Sequence, residues 1–162
     1  MDKQVRSRVS LLNPVHLLAL GFGSGLAPKM PGTFGTLAAL PLVVMLSYFS
    51  SFAAYLIVTI LVSIVGIWIC GKAAADMGVH DDSSIVWDEI AGMLITMLAV
   101  PLSWQTLLLG FALFRFFDIM KPWPISYLDK HVDGGFGIMV DDVLAGLFAV
   151  ACLHLCLVLG WL

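Results

Sequence analysis

Long apolar runs separated by short polar breaks set the rhythm of this chain. Residues 34–49 are almost wholly apolar, Ser50-Ser51 interrupts them, and residues 52–71 form a second apolar run long enough to cross a bilayer as a helix. So short a break predicts an antiparallel hairpin. A second hairpin is predicted from residues 90–100, the break Pro101-Leu102-Ser103, and residues 104–120. Its first member is short unless it extends back to about residue 85, which brings Asp88 and Glu89 into its first turn. The last run, 138–159, begins with Asp141 and Asp142 in its first turn and completes a fifth span.

Upstream, Asn13-Pro14 reads as a helix cap followed by a proline in the first turn. The helix from Val15 should fail near Gly21, where Gly21, Gly23 and Gly25 recur and Pro28 follows. It is too short to span. Pro31-Gly32 marks a turn, and Thr33 is placed to cap the helix after it. The predicted fold is an all-α integral membrane protein with about five transmembrane helices and a short N-terminal re-entrant or interfacial helix. It forms one membrane-embedded domain over residues 1–162, with residues 1–12 as a basic N-terminal segment.

Composition supports a lipid solvent. Mean hydropathy is +1.01, and the 12% of charged residues is about half the share of an ordinary soluble domain. Two polar loops, 72–89 and 121–137, fall on the same side as the N-terminus if there are five spans. Every Lys and Arg lies on that side or at its boundary, and the opposite turns contain none. The positive-inside tendency makes it the cytoplasmic face. No basic stripe exists to neutralise a nucleic-acid backbone, so no such partner is expected. The N-terminus lacks the pattern of a cleaved signal peptide. Cys70, Cys152 and Cys156 sit in apolar runs and read as small buried hydrophobes.

The acids fall on the same side as the bases. Asp81-Asp82, Asp88-Glu89 and Asp141-Asp142 stand at the mouths of apolar segments, where uncompensated charge is expensive. Such a gathering asks for a cation, and oxygen donors suit Mg²⁺. A metal would also let the site accept an anionic phosphate. Arg115 and Asp118 share a helix face, and Lys121 follows one turn later. Arg115 and Lys121 are candidate phosphate clamps, with Asp118 orienting them or joining the metal. His80, beside Asp81, is a candidate proton donor or water-positioning group. Gly23-Ser24-Gly25 and Pro31-Gly32-Thr33 offer backbone N–H groups to a phosphate or glycerol headgroup, with Thr33 as a candidate phosphate-binding residue. A short echo joins residues 88–92, DEIAG, to 142–146, DVLAG: a glycine one turn beyond each acid can let two acid-bearing helices approach closely.

Four blocks carry a wider resemblance: GFGSGLAPKMPGTFG at 21–35, DMGVHDDSSIVWDEIAG at 76–92, FRFFDIMKPWPI at 114–125 and HVDGGFGIMVDDVLAG at 131–146. Together they resemble the phosphatidylglycerophosphatase A family, across nearly the whole chain. The resemblance implies a Mg²⁺-dependent, multi-pass enzyme of the bacterial inner membrane that acts in phospholipid metabolism. Such an enzyme removes the terminal phosphate of phosphatidylglycerophosphate. It implies Asp81, Asp88, Glu89, Asp118, Asp141 and Asp142 as the acidic, metal-holding set, with Arg115 and Lys121 as basic partners. Asp88, Glu89, Asp141, Asp142 and His80 are the catalytic candidates. The expected partners are an anionic phospholipid phosphate and membrane lipids, with no obligatory protein partner. The competing reading of the residues is an anion or ion-coupled transporter, against which stands the gathering of charges at one face rather than the midplane.

Overall fold

The computed structural model describes residues 3–79 and 82–162; His80 and Asp81, both candidate site residues, lie outside the described residues. The regular structure described is helical throughout. Two short helices, α1 (Lys3–Arg8) and α2 (Pro14–Ala19), precede a 3₁₀ turn at Gly21–Leu26. The start of α2 is the one the sequence predicts. The Asn13 side chain accepts the Val15 N–H at 2.9 Å, and Pro14 occupies the first turn. The helix also fails where expected: Gly21, Phe22 and Gly23 all take positive φ, a conformation that glycine adopts without penalty.

Helix α3 (Pro31–Phe49) begins three residues before the predicted 34–49 run. Proline needs no N–H partner and has a helical φ, so Pro31 suits the first turn. Thr33 therefore lies inside that turn and is not its cap; Met30 is the N-cap and makes no side-chain cap bond. Helix α4 (Phe52–Met77) starts on Ser51, as the tight hairpin requires, and continues past residue 71. The first part of the predicted 72–89 loop is thus helical. Its alanines favour helix, Lys72 and Asp76 pair across one turn, and Gly78 with φ 70 ends it.

Helix α5 (Trp87–Thr96) has ten residues, fewer than the predicted stretch to residue 100. It carries Asp88 and Glu89 in its first turn, as expected, and only Asp88 among its residues is not buried. Helix α6 (Trp104–Met120) matches its predicted limits and starts on a reciprocal Ser103–Thr106 cap. A short helix, α7 (Ile125–His131), lies within the predicted 121–137 loop.

Helix α8 (Gly134–Val158) starts four residues before residue 138. Glycines explain the earlier start. A Cβ on Gly135 would collide with the Ile67 carbonyl and Gly71 backbone of α4, so the two helices meet main chain to main chain there. Asp141 and Asp142 consequently sit about two turns inside α8, not in its first turn, and the unpaired N–H groups of a helix start do not serve them.

Among the described residues three helices, α3, α4 and α8, are long and apolar enough to cross a membrane, against the five spans expected; α5 with ten residues and α6 with seventeen are shorter. Half of the most apolar window of α8 is buried, against about a quarter in α3 and α4, so α8 is the inner helix of the three. It packs with the short, enclosed α5 at the centre of the bundle. Cys70 is buried as expected, while Cys152 and Cys156 on α8 are only half-buried.

The two tight turns meet at one end of the bundle. Ser50, Ser51, Ala99, Pro101 and Leu102 line a common pocket there, and the Tyr55 hydroxyl donates to the Leu94 carbonyl at 3.1 Å. His154 lies 3.2 Å from the Leu98 carbonyl, a packing role in keeping with its distance in sequence from the acids.

Candidate active site

Away from those turns, the first turn of α5 meets the inner face of α8. One carboxylate oxygen from each of Asp88, Glu89 and Asp142 lies within 4.8 Å of the other two. The glycines one turn deeper make this possible. A Cβ on Gly92 would lie 2.9 Å from the Asp142 carbonyl oxygen, so no side chain fits between the helices. The echo between 88–92 and 142–146 thus corresponds to a real helix crossing.

This cluster is short of compensation. Glu89 and Asp142 are 9% and 3% exposed, and Glu89 Oε2 and Asp142 Oδ2 are buried without a hydrogen-bond partner. A buried carboxylate oxygen left in that state is costly unless a cation or proton meets it. Three hard oxygen donors from two helix faces can hold a divalent cation such as Mg²⁺, which favours carboxylates, water and phosphate oxygens.

The basic residues are placed around the cluster rather than within it. Arg115 on α6 lies 2.5 Å from Asp118 and 3.7 Å from Glu89. The Arg115–Asp118 pair predicted from their spacing is present, and Glu89 is a third member. Lys121, at the C-cap of α6, bridges Asp141 at 2.7 Å and Asp129 at 2.5 Å. Burial alone lowers its pKa, but hydrogen bonds to Asp129 and Asp141 outweigh that and raise it well above the ordinary lysine value. The ammonium is therefore fixed as a cation.

Adjacent acids on α8 have different surroundings. Asp141 accepts from Lys121 through Oδ2 and from the Asp142 N–H through Oδ1 at 3.0 Å, so both of its oxygens are engaged. Asp142 turns toward α5 and leaves Oδ2 unmet. Successive residues on a helix point about 100° apart. Asp142 consequently joins Asp88 and Glu89, while Asp141 anchors Lys121.

Two contributors were not singled out as site residues from sequence. Asp129 on α7 shares Lys121, but a polar loop position carries no periodic signal for such a contact. Gly32 forms a wall of the site. Its Cβ position is occupied by Glu89 Oε1 and lies 3.0 Å from Arg115 Nη1, so α3 enters the site at a residue without a side chain. The Pro31-Gly32-Thr33 motif was the available signal. Thr33 itself is half-buried, and its N–H is used by the Met30 carbonyl at 2.9 Å. A second charged group, His16 with Asp76 at 3.2 Å and Lys72 on the same carboxylate, ties α2 to α4.

Comparison with known proteins bears on this arrangement. The family model described as Phosphatidylglycerophosphatase A matches residues 17–157. The chain is 56% identical over 144 residues to a Haemophilus influenzae protein named Phosphatidylglycerophosphatase A, covering 88% of each chain. It is 48% identical over 150 residues to the Escherichia coli protein of that name, covering 92% of this chain and 87% of the other. A Bacteroides thetaiotaomicron protein whose name proposes a phosphatidylinositol-3-phosphatase is 39% identical over 140 residues, 82% of this chain and 87% of its own. No solved structure matches the chain.

Proposed function

The chain belongs to the phosphatidylglycerophosphatase A family, and from that premise we propose that it converts phosphatidylglycerophosphate to phosphatidylglycerol and inorganic phosphate at a Mg²⁺-dependent site. The observation that carries this reading is the convergence of Asp88, Glu89 and Asp142, with two buried oxygens left unmet. That donor set calls for a hard cation, and a phosphomonoester is a natural further ligand of one.

The residues divide the work by position. Glu89 and Asp142, deep in the helix crossing, are the principal metal holders. Asp88 is the half-exposed member of α5, at the mouth. It accepts a proton as a water oxygen bonds to phosphorus and the ester P–O bond breaks; the departing glycerol oxygen takes a proton from solvent. Arg115, kept in place by Asp118, offers its fork of N–H donors to the phosphoryl oxygens. Lys121 holds Asp141 and α7 against the site. Bound Mg²⁺ would act as a Lewis acid toward the phosphoryl oxygens and neutralise part of the charge that these carboxylates impose.

In this reading the chain is one domain of the bacterial inner membrane, with the site open to the cytoplasm. Five segments cross: α3, α4 and α8 fully, and α5 and α6 as a hairpin in which the chain from Met97 to Ser103 completes the depth that α5 lacks. The basic residues gather at the end bearing the acids, which is the orientation that positive-inside insertion favours.

The test is release of inorganic phosphate from phosphatidylglycerophosphate by purified protein in detergent, with Mg²⁺ supplied or removed by chelation. Turnover that requires the metal supports the reading. Turnover unaffected by thorough chelation defeats the metal mechanism, and absence of turnover with the metal present defeats the function.

A further inference from the structure

A polar cavity of about 440 Å³ lies between the N-terminal segment and the loop that enters α5. Arg6, Gly25, Pro28, Pro31, Ser83 and Ser84 are among the residues that line it. Its floor depends on glycine: the Cβ position of Gly25 is filled by the Ser84 carbonyl oxygen, so the 3₁₀ turn lies directly on the loop. The cavity adjoins the carboxylate cluster through both walls. Pro31 precedes Gly32, which touches Glu89 and Arg115, and Ser84 stands one short segment before Asp88.

The two places differ in charge: Arg6 is the charged residue among those that line the cavity, and Asp82 on the same loop is engaged by the Ser84 N–H and hydroxyl. Asp88, Glu89 and Asp142, with Asp118 and Asp141 beside them, leave the cluster rich in negative charge; Lys121 is held by Asp129 and Asp141, and Arg115, beside Asp118 and Glu89, serves the terminal phosphate. Arg6 makes no ion pair with any described residue, and its guanidinium borders the cavity. In phosphatidylglycerophosphate the glycerol that bears the terminal phosphomonoester also bears, at its other end, the phosphodiester that joins it to the diacylglycerol. Only the first can be met at the metal-binding carboxylates; the second needs a cation of its own nearby.

We propose that this cavity receives the phosphodiester that remains on the lipid, with Arg6 as its recognition residue, while the terminal phosphate lies at the carboxylate cluster. This deepens the lipid-phosphatase function proposed above and rests on it. Arg6 is a specificity determinant: it favours lipids that carry a diester beside the reacting monoester over lipids that carry a monoester alone. Ser83, exposed at the rim, adds a hydroxyl within the same cavity.

The experiment compares wild type, Arg6→Gln and Lys29→Gln on two substrates, phosphatidylglycerophosphate and phosphatidate, the second lacking the diester. Lys29 is exposed and does not line the cavity, so its loss removes the same surface charge without touching the subsite. Arg6→Gln should lower kcat/KM for phosphatidylglycerophosphate about tenfold, mainly through KM, as expected for loss of one charge-assisted contact. It should leave phosphatidate hydrolysis unchanged, and Lys29→Gln should alter neither. Equal losses on both substrates, or none on either, would overturn the proposal.

A second arm needs no turnover. Binding of soluble glycerophosphoglycerol, with inorganic phosphate as competitor, is followed by saturation-transfer NMR on the detergent-solubilised protein. Wild type should bind the diester and Arg6→Gln should bind it about tenfold more weakly. Failure of wild type to bind it, or binding that is indifferent to Arg6, overturns the subsite. Arg6-dependent binding of inorganic phosphate in its place would assign the cavity to the product and overturn it too. If wild type hydrolysed neither lipid, the proposed function would fall, and this binding arm alone would still decide whether the cavity recognises a phosphodiester.

Discussion

A Cβ placed on Gly146 of α8 would stand 2.6 Å from the carbonyl oxygen of Gly92 in α5. The two helices cross at this point with backbone against backbone. Each glycine lies one turn beyond an acid, Asp88 before Gly92 and Asp142 before Gly146, so the crossing fixes how far apart those carboxylates sit. The same small residues that let helices pack in a membrane here set the width of a candidate metal site.

Gly146→Ala should therefore damage both stability and activity. The added methyl meets the Gly92 carbonyl and the Ile95 side chain, and overpacking of this kind costs about 1–3 kcal/mol. We expect a lower thermal midpoint in detergent and at least a tenfold loss of phosphate release. Leu108→Ala, at an exposed apolar position on α6, should change neither by much. Full activity in Gly146→Ala would show that the crossing does not control the carboxylates.

Neutral replacements of the acids should separate into two classes. Glu89→Gln and Asp142→Asn should move the Mg²⁺ dependence of turnover to concentrations more than tenfold higher, since each removes a charge from the converging set. Asp141→Asn should lower the maximum rate with a smaller change in Mg²⁺ dependence, because its oxygens serve Lys121 and the Asp142 N–H. Magnesium titrations at saturating lipid distinguish them. Identical metal dependence in all three variants would contradict the division.

Topology can be tested from outside the site. After replacement of Cys70, Cys152 and Cys156, a cysteine at Ser83 or Asp129 should react with an impermeant reagent from the cytoplasmic side of closed vesicles. A cysteine at Ser51 should react from the opposite side. Ser51 and Ser83 reacting from one side would break the five-segment arrangement.

Arg115→Lys tests whether geometry matters beyond charge. Arg115 reaches both Asp118 and Glu89, and a lysine cannot reproduce its planar fork. Turnover should drop about tenfold or more while membrane insertion is kept. An unchanged rate would reduce Arg115 to a generic counter-charge.

Much of this arrangement is legible in the sequence alone. Apolar runs and their breaks locate α3, α6 and the starts of α4 and α5, because a helix in lipid must satisfy its backbone internally and announces itself by composition. The segregation of charge identifies one end of the bundle, and the glycine one turn past each acid foretells a close crossing. The local signals fail where packing overrides them. The 72–77 segment looks polar but continues α4 on alanine propensity and a Lys72–Asp76 pair. Helix α8 starts early because Gly135 lies on the backbone of α4, a contact invisible in either segment alone.

The sequence by itself determined that this chain is helical, with segments apolar and long enough to cross a membrane and with acids and bases gathered at one end. It did so because burial in lipid constrains composition residue by residue. Only the tertiary structure decided which acids converge. Asp141 and Asp142 are neighbours in sequence but point about 100° apart on one helix. The angle at which α8 crosses α5, set by Gly92 and Gly146, turns Asp142 toward Glu89 and leaves Asp141 to Lys121. The choice between them depends on contacts between segments more than fifty residues apart, which no local pattern records.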